Sequence, residues 1–292
     1  MPIETIQSPH EPSADPINQI FKTFEIPTCP SIVIEVMAET RKEAPDLEKV
    51  AKSIANDIGM SAITLRMANS PLFRTNAPIT SIRSAMERLG MRNIVCVVVA
   101  GALRNSMTDM PGHFIEKFWD RTSVVATASS LIARRQRGGC PDVAYTYALF
   151  HDIGVPLMLR RYPDYEKMHA ECCQSGKMLI DVEADCFPCN HPIIGSMMVR
   201  SWGLPADIGH AIRFHHEADA YDLPEEVLAH DAVSLIAQTH IAERIASEIF
   251  AEDDVEVGEE LYHRALTHFG IASEELEQLH EDINLAINES KH

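Results

Sequence analysis

The chain has 292 residues, enough for one large hydrophobic core or two modest ones, and its 46% apolar content is ordinary for a globular protein. With 43 acidic against 25 basic residues its formal net charge is -18, and a field of that sign repels phosphate, which argues against nucleic acid or anionic lipid as a partner. The longest apolar run, Ile94 to Leu103, falls far short of the roughly 20 residues of a membrane span.

In chain order, Met1 to Asp15 holds Pro2, Pro9 and Pro12 among polar residues and has no apolar signal core, so 1–15 reads as a flexible leader. Seven cysteines, an odd number without an export signal, point to reduced thiols in a cytoplasm. An N-terminal helical subdomain is expected over 16–110. Asp46 can cap a helix whose apolar positions Leu47, Val50, Ala51, Ile54 and Ile58 recur at three and four residues. Thr80 or Ser81 opens another, with Ile82, Ala85, Met86 and Leu89 on one face and Gly90 as its stop. Met60, Met67, Met86 and Met91 lie at helical intervals and read as core filler. Ile94 to Val99 is rich in β-branched residues and by propensity alone would be a buried strand. It has no partner strand in a helical neighbourhood, so the reading is a buried helix.

A second helical subdomain is expected over 111–243. Met110-Pro111-Gly112 is a break, after which Ile115, Phe118, Trp119, Thr122, Ala126, Ser129 and Ala133 form one stripe; Gly138-Gly139-Cys140-Pro141 ends that helix. Arg134, Arg135 and Arg137, the densest basic cluster, read as a favourable contact with the dipole at the helix end. Asn190 caps a further helix with Pro192 in its first turn, and Gly203 closes it after Trp202. Over 244–292 an acidic run, Ala251 to Glu260, reads as a solvated linker before two amphipathic helices. The expected fold class is all-α: two packed helical subdomains with a C-terminal helical extension.

The chemistry-bearing residues gather in the second subdomain. His151-Asp152 ends an apolar helix, His191 starts one, and His215-His216 follows another. A His-Asp doublet offers an imidazole nitrogen and a carboxylate able to bridge two cations, which in phosphoester hydrolysis generate hydroxide and neutralise phosphoryl oxygens. The competing reading is a hydrogen-bonded pair within the core, with His191 explained by the Asn190 cap. Because adjacent helical residues diverge, one of His215 and His216 is expected to face solvent. Cys186-Phe187-Pro188-Cys189 resembles half a structural zinc site, with Cys172-Cys173 as partners, but free thiols are the simpler reading. His230, His240, His263, His268 and His280 lack ligand spacing and read as surface residues.

Ile26-Pro27-Thr28-Cys29-Pro30, Asp57, Leu65 to Phe73, Ile79 to Ile82 and Arg88-Leu89-Gly90 stand in a characteristic order. They are followed by Phe118-Trp119, Ala148-Leu149-Phe150-His151-Asp152-Ile153-Gly154, Glu183, His191, Gly195, Trp202, Leu204-Pro205 and Ala211-Ile212 before His215-His216. From Ile26 to Ala242 this series resembles the HDOD family, a degenerate branch of the metal-dependent HD phosphohydrolases. The resemblance implies a two-part helical fold and a role in bacterial signal transduction as a regulatory module. It implies action on a protein partner in trans or on a small ligand, since no alternating βα pattern marks an attached receiver or cyclase domain. Catalytic relatives carry a further His about thirty residues before the doublet and a closing Asp after the His pair. Here Arg121, or Thr122 in a shifted register, and Gln238 stand near those places.

A guanidinium stays protonated and cannot ligate a cation. Arg121 is therefore expected to take a cation's place beside Asp152 and to abolish hydrolysis. His151, Asp152, His191, His215 and His216 remain as donors for at most one divalent metal, Fe, Mn, Zn or Mg. The rivals are a surviving phosphohydrolase acting on nucleotides or cyclic dinucleotides, and a ligand-free scaffold working through its C-terminal helices.

Overall fold

The computed structural model describes residues 24, 26–69, 73, 77–107 and 110–290; the expected leader, 1–15, and Ser70-Pro71 lie outside them. Among the described residues the fold is all-α, with 14 α-helices, one short 3-10 turn and no strand. No described helix is long and apolar enough to cross a membrane.

A first group of helices comprises α1 (Ser31–Thr40), α2 (Leu47–Ala55), α3 (Ile58–Ala68) and α4 (Ile82–Asn105), and the first three all pack on α4. Asp46 caps α2 by accepting the Lys49 amide, and Asp57 caps α3 through that of Met60. The second cap corrects the sequence reading. Ile58 opens a new helix instead of extending the apolar face of α2, and it is 88% exposed because the Asp57 cap restarts the helical phase. Ser81 caps α4 through the Ser84 amide. Gly90, with φ 74°, breaks α4 where a side chain would be strained, and the helix then resumes. Ile94, Val97, Val98 and Val99 are buried on the resumed part, where packing overrides β propensity.

The second group comprises α5 (Gly112–Arg135), α6 (Pro141–Phe150), α7 (Gly154–Arg161), α8 (Tyr165–Ser175), α9 (Leu179–Cys186), α10 (His191–Ser201), α11 (Ala206–Phe214) and α12 (His230–Phe250). The expected stripe of α5 is buried at Ile115, Trp119, Thr122, Ala126, Ser129 and Ala133, and α5 packs on α6 and α12. Buried along most of its length, α12 also meets α6 and α11. The α7 and α10 helices touch closely because residue 154 is glycine: a Cβ there would stand 2.0 Å from the carbonyl oxygen of His191. Contact between α4 and α6 joins the two groups.

Beyond them, α13 (Gly258–Phe269) packs on α12 and α14 (Ser273–Ser290) on α5, with Arg135 at the end of α5 paired to Asp282. The segment before α13 is not the solvated linker read from the sequence. Val255, Glu256 and Val257 are buried, and the Leu179 amide donates to the Val255 carbonyl at 2.8 Å. The Asp254 carboxylate accepts the amides of Glu256, Val257 and Gly258, so the turn satisfies its own polar groups while two valines draw it inward.

Candidate metal centre

Three chain segments meet at one point. His151 and Asp152 arrive at the end of α6, His191 is the first residue of α10, and His215 and His216 follow the last turn of α11. Asn190 fixes the start of α10 by accepting the Ile193 amide. Donor atoms of Asp152, His191, His215 and His216 all lie within 4.8 Å of one another, and so, in a second group, do those of His151, Asp152 and Glu243. Asp152 belongs to both.

The protein sets the direction of each ring. His151 Nδ1 donates to the Ala148 carbonyl and His215 Nδ1 to that of Ile212, each at 2.7 Å. His191 Nδ1 lies 2.8 Å from Glu183 Oε2, which also accepts the His191 amide, while the Tyr165 hydroxyl donates to the other oxygen of Glu183. Hydrogen bonds of this kind fix a ring and leave Nε2 for a ligand. Both His215 and His216 turn inward, contrary to expectation, because His215 is the helix cap and His216 lies past it, where helical divergence no longer applies. His240, expected at the surface, is buried: its Nε2 donates to the His215 carbonyl at 2.6 Å, and its Nδ1 accepts from the Tyr221 hydroxyl at 2.8 Å.

The spacing of the inward atoms tests whether a cation fits. Two donors each about 2.1 Å from a tetrahedral cation stand about 3.4 Å apart. His191 Nε2 is 3.0 Å from His216 Nε2 and 3.5 Å from Asp152 Oδ1, and His215 Nε2 is 3.3 Å from Asp152 Oδ1. Buried atoms of this group, including Asp152 Oδ1 and His215 Nε2, make no well-angled hydrogen bond among the described residues. Three imidazoles and a carboxylate at these separations fit a divalent cation of the Zn, Fe or Mn kind, and suit the harder Mg less well.

The second group differs. His151 Nε2 lies 3.0 Å from Asp152 Oδ2 and 3.3 Å from Glu243 Oε1, and the other oxygen of Glu243 accepts from Arg121 at 2.5 Å. Arg121 also donates to Ser247 Oγ at 3.0 Å and to Glu252 at 3.4 Å. Its partner is thus Glu243, not Asp152 as expected, because Glu243 on α12 stands between them. Thr122 is buried on α5, and Gln238 is buried with its Oε1 unpaired among the described residues.

Carboxylates outnumber fixed cations here, and the proton affinities record it. Burial disfavours charge on His191, but Glu183 and Asp152 raise it to about 9; burial likewise opposes charge on His151, yet Asp152 and Glu243 hold it well above the usual range. Burial, then the neighbouring histidines, push His215 down and His216 well below the usual range, which favours the neutral imidazole in both. Burial and the charge of Asp152 push Glu256 up to about 8. The buried carboxylates draw positive charge into the cluster, and a divalent cation is one source of it.

Sequence reasoning did not single out Glu243, Glu252 or Glu256. The signal for Glu243 was present: Ile236, His240, Glu243 and Ser247 repeat at four, three and four residues along the buried face of α12. The cysteines stand apart. Cys186 is exposed, Cys172 and Cys189 are buried, and none joins a described group of three or more ligand-type residues.

An all-α bundle with a buried histidine and carboxylate cluster at its helix ends defines an HD-like helical domain. The HDOD domain pattern matches residues 26–218, about two thirds of the sequence, and the chain belongs to the HDOD family. An uncharacterized protein of Treponema pallidum (strain Nichols) is 24% identical over 201 residues, 66% of this chain but 38% of its own length, so the chain spans well under half of that relative. Several solved structures share the fold, two of them as follows. A provisionally named phosphohydrolase of Shewanella amazonensis SB2B has TM-score 0.70 and 23% identity, covering 93% of this chain and 94% of its own. An HDOD domain protein of unknown function from Geobacter sulfurreducens has TM-score 0.71 and 19% identity, covering 94% of both.

Proposed function

We propose that this chain is a non-hydrolytic HDOD signalling module holding one divalent cation, and that it regulates a protein partner or responds to a small ligand. The observation that carries the reading is the contrast between the two groups that share Asp152. Three histidines and Asp152 bring their donor atoms together in the first, whereas Arg121 supplies positive charge beside the second through Glu243. Two-metal phosphoester hydrolysis needs a cation on each side of the bridging carboxylate. With the second place neutralised by a guanidinium, Asp152, His191, His215 and His216 hold a single cation. When bound, it supplies charge to bind and orient an anionic group; Glu183 and Tyr165 keep His191 turned toward it.

Elemental analysis of the purified protein should give one Zn, Fe or Mn per chain, lost in Asp152→Asn. A phosphodiesterase screen with Mn²⁺, Fe²⁺ and Mg²⁺ should show no turnover. Two metals per chain together with turnover would establish a surviving phosphohydrolase instead, and no metal at all would leave the scaffold reading.

A further inference from the structure

The cluster has a neighbour from outside the family-matched region. Glu256 lies beyond 26–218 and beyond α12, on the segment between α12 and α13. Its side chain is 8% exposed, and its Oε2 stands 3.4 Å from His216 Nε2, on the side where His216 meets His191 at 3.0 Å. That oxygen is buried and makes no hydrogen bond of good geometry among the described residues. A buried carboxylate oxygen left unpaired is costly unless something else satisfies it. The separation of 3.4 Å is the one expected of two donors to a common cation, and since Glu256 stands outside the four donors that lie within 4.8 Å of one another, its carboxyl reaches the cation by a small inward shift of this segment. The backbone holds it there independently: Asp254 folds the turn by accepting three successive amides, Arg244 pairs with Asp254 at 3.2 Å, and Val255 is tied to the Leu179 amide.

We infer that Glu256 is a further ligand of the cation at His191 and His216, so that the C-terminal extension closes the centre and is itself held down by the cation. Binding and docking of 252–258 are then linked: the metal orders the strap, and the strap tightens the metal. The inference rests on the single-cation reading above.

The test uses the full chain stripped of metal and titrated with Zn²⁺ by calorimetry, alongside Glu256→Gln and Asp253→Asn, the latter an exposed neighbour on the same strap. Amide hydrogen exchange over 252–258 is followed with and without Zn²⁺, and thermal unfolding confirms that each variant folds. Glu256→Gln should bind Zn²⁺ at least about 10-fold more weakly, the scale of losing a supporting group at a metal site. It should also lose the Zn²⁺-induced protection of the strap that the parent and Asp253→Asn show. Equal or tighter Zn²⁺ binding by Glu256→Gln, or strap protection that ignores Zn²⁺ in the parent, overturns the inference alone. Absence of Zn²⁺ binding by the parent overturns the single-cation reading and this inference with it.

Discussion

Glu243 divides its carboxylate between two neighbours, one oxygen toward His151 and the other toward Arg121, whose side chain is 20% exposed against 2% for the acid. Removing the arginine leaves a buried acid with only a histidine for company, and breaking such a pair is costly. Arg121→Ala should therefore lower the unfolding free energy by about 3 kcal/mol in urea titrations; a change near zero would mean that the pair is too hydrated to matter. Arg121→His replaces the fixed charge with a donor and should raise bound metal toward two per chain by elemental analysis. No gain would show that the guanidinium is not what excludes the second cation. Far from the cluster, Glu39 offers a pH test. The Lys42 side chain, then the Asp46 amide, holds its carboxyl down to about 2 from 4.5. The folded value lies below the unfolded one, so the stabilisation is complete above about pH 4.5 and is lost as the pH falls toward 2. Urea midpoints of Glu39→Gln should fall less steeply across that interval than those of the parent, and identical slopes would exclude the linkage.

Between helices, the decisive contact is the one between α7 and α10. With a Cβ at residue 154 only 2.0 Å from the His191 carbonyl, backbone and not a pliable side chain would have to move. Gly154→Ala should cost about 3 kcal/mol, at the upper end of overpacking, and should weaken metal binding because His191 shifts with its helix. Thermal unfolding and elemental analysis would register both effects; an unchanged melting point would show that the approach can relax. The helices and their caps were largely readable in the sequence, since Asp46, Ser81 and Asn190 act within three residues of themselves. Ile58 was misassigned because its periodicity continues across a cap that interrupts the backbone. Turning one of His215 and His216 outward was wrong for the opposite reason, since helical divergence was applied one step past the helix.

Across the whole molecule, the centre joins residues from 121 to 256; Asp152 was legible in its doublet, whereas Glu252 and Glu256 stood in what read as a charged run. An acid on a helix or in a charged run looks like any solvated acid until the chain brings it to a histidine. The valines flanking Glu256 were the one hint within the run. A chain ended at Phe250 loses Val255, Val257, Leu261, Leu279, Ile283 and Ile287 from its core. It should bind a hydrophobic dye and lose cooperative unfolding, and a sharp transition in that fragment would show that α13 and α14 are dispensable. The histidine side chains of the cluster are between 0% and 4% exposed. The surrounding helices close over them, so a seated ion, and any anionic group it binds, exchanges at the pace of local opening and not of ligand exchange in water. Stripping by excess chelator should then keep time with hydrogen exchange at the His191 and His215 amides. Such a centre would keep its ion through brief changes in the surrounding metal and follow only slow ones.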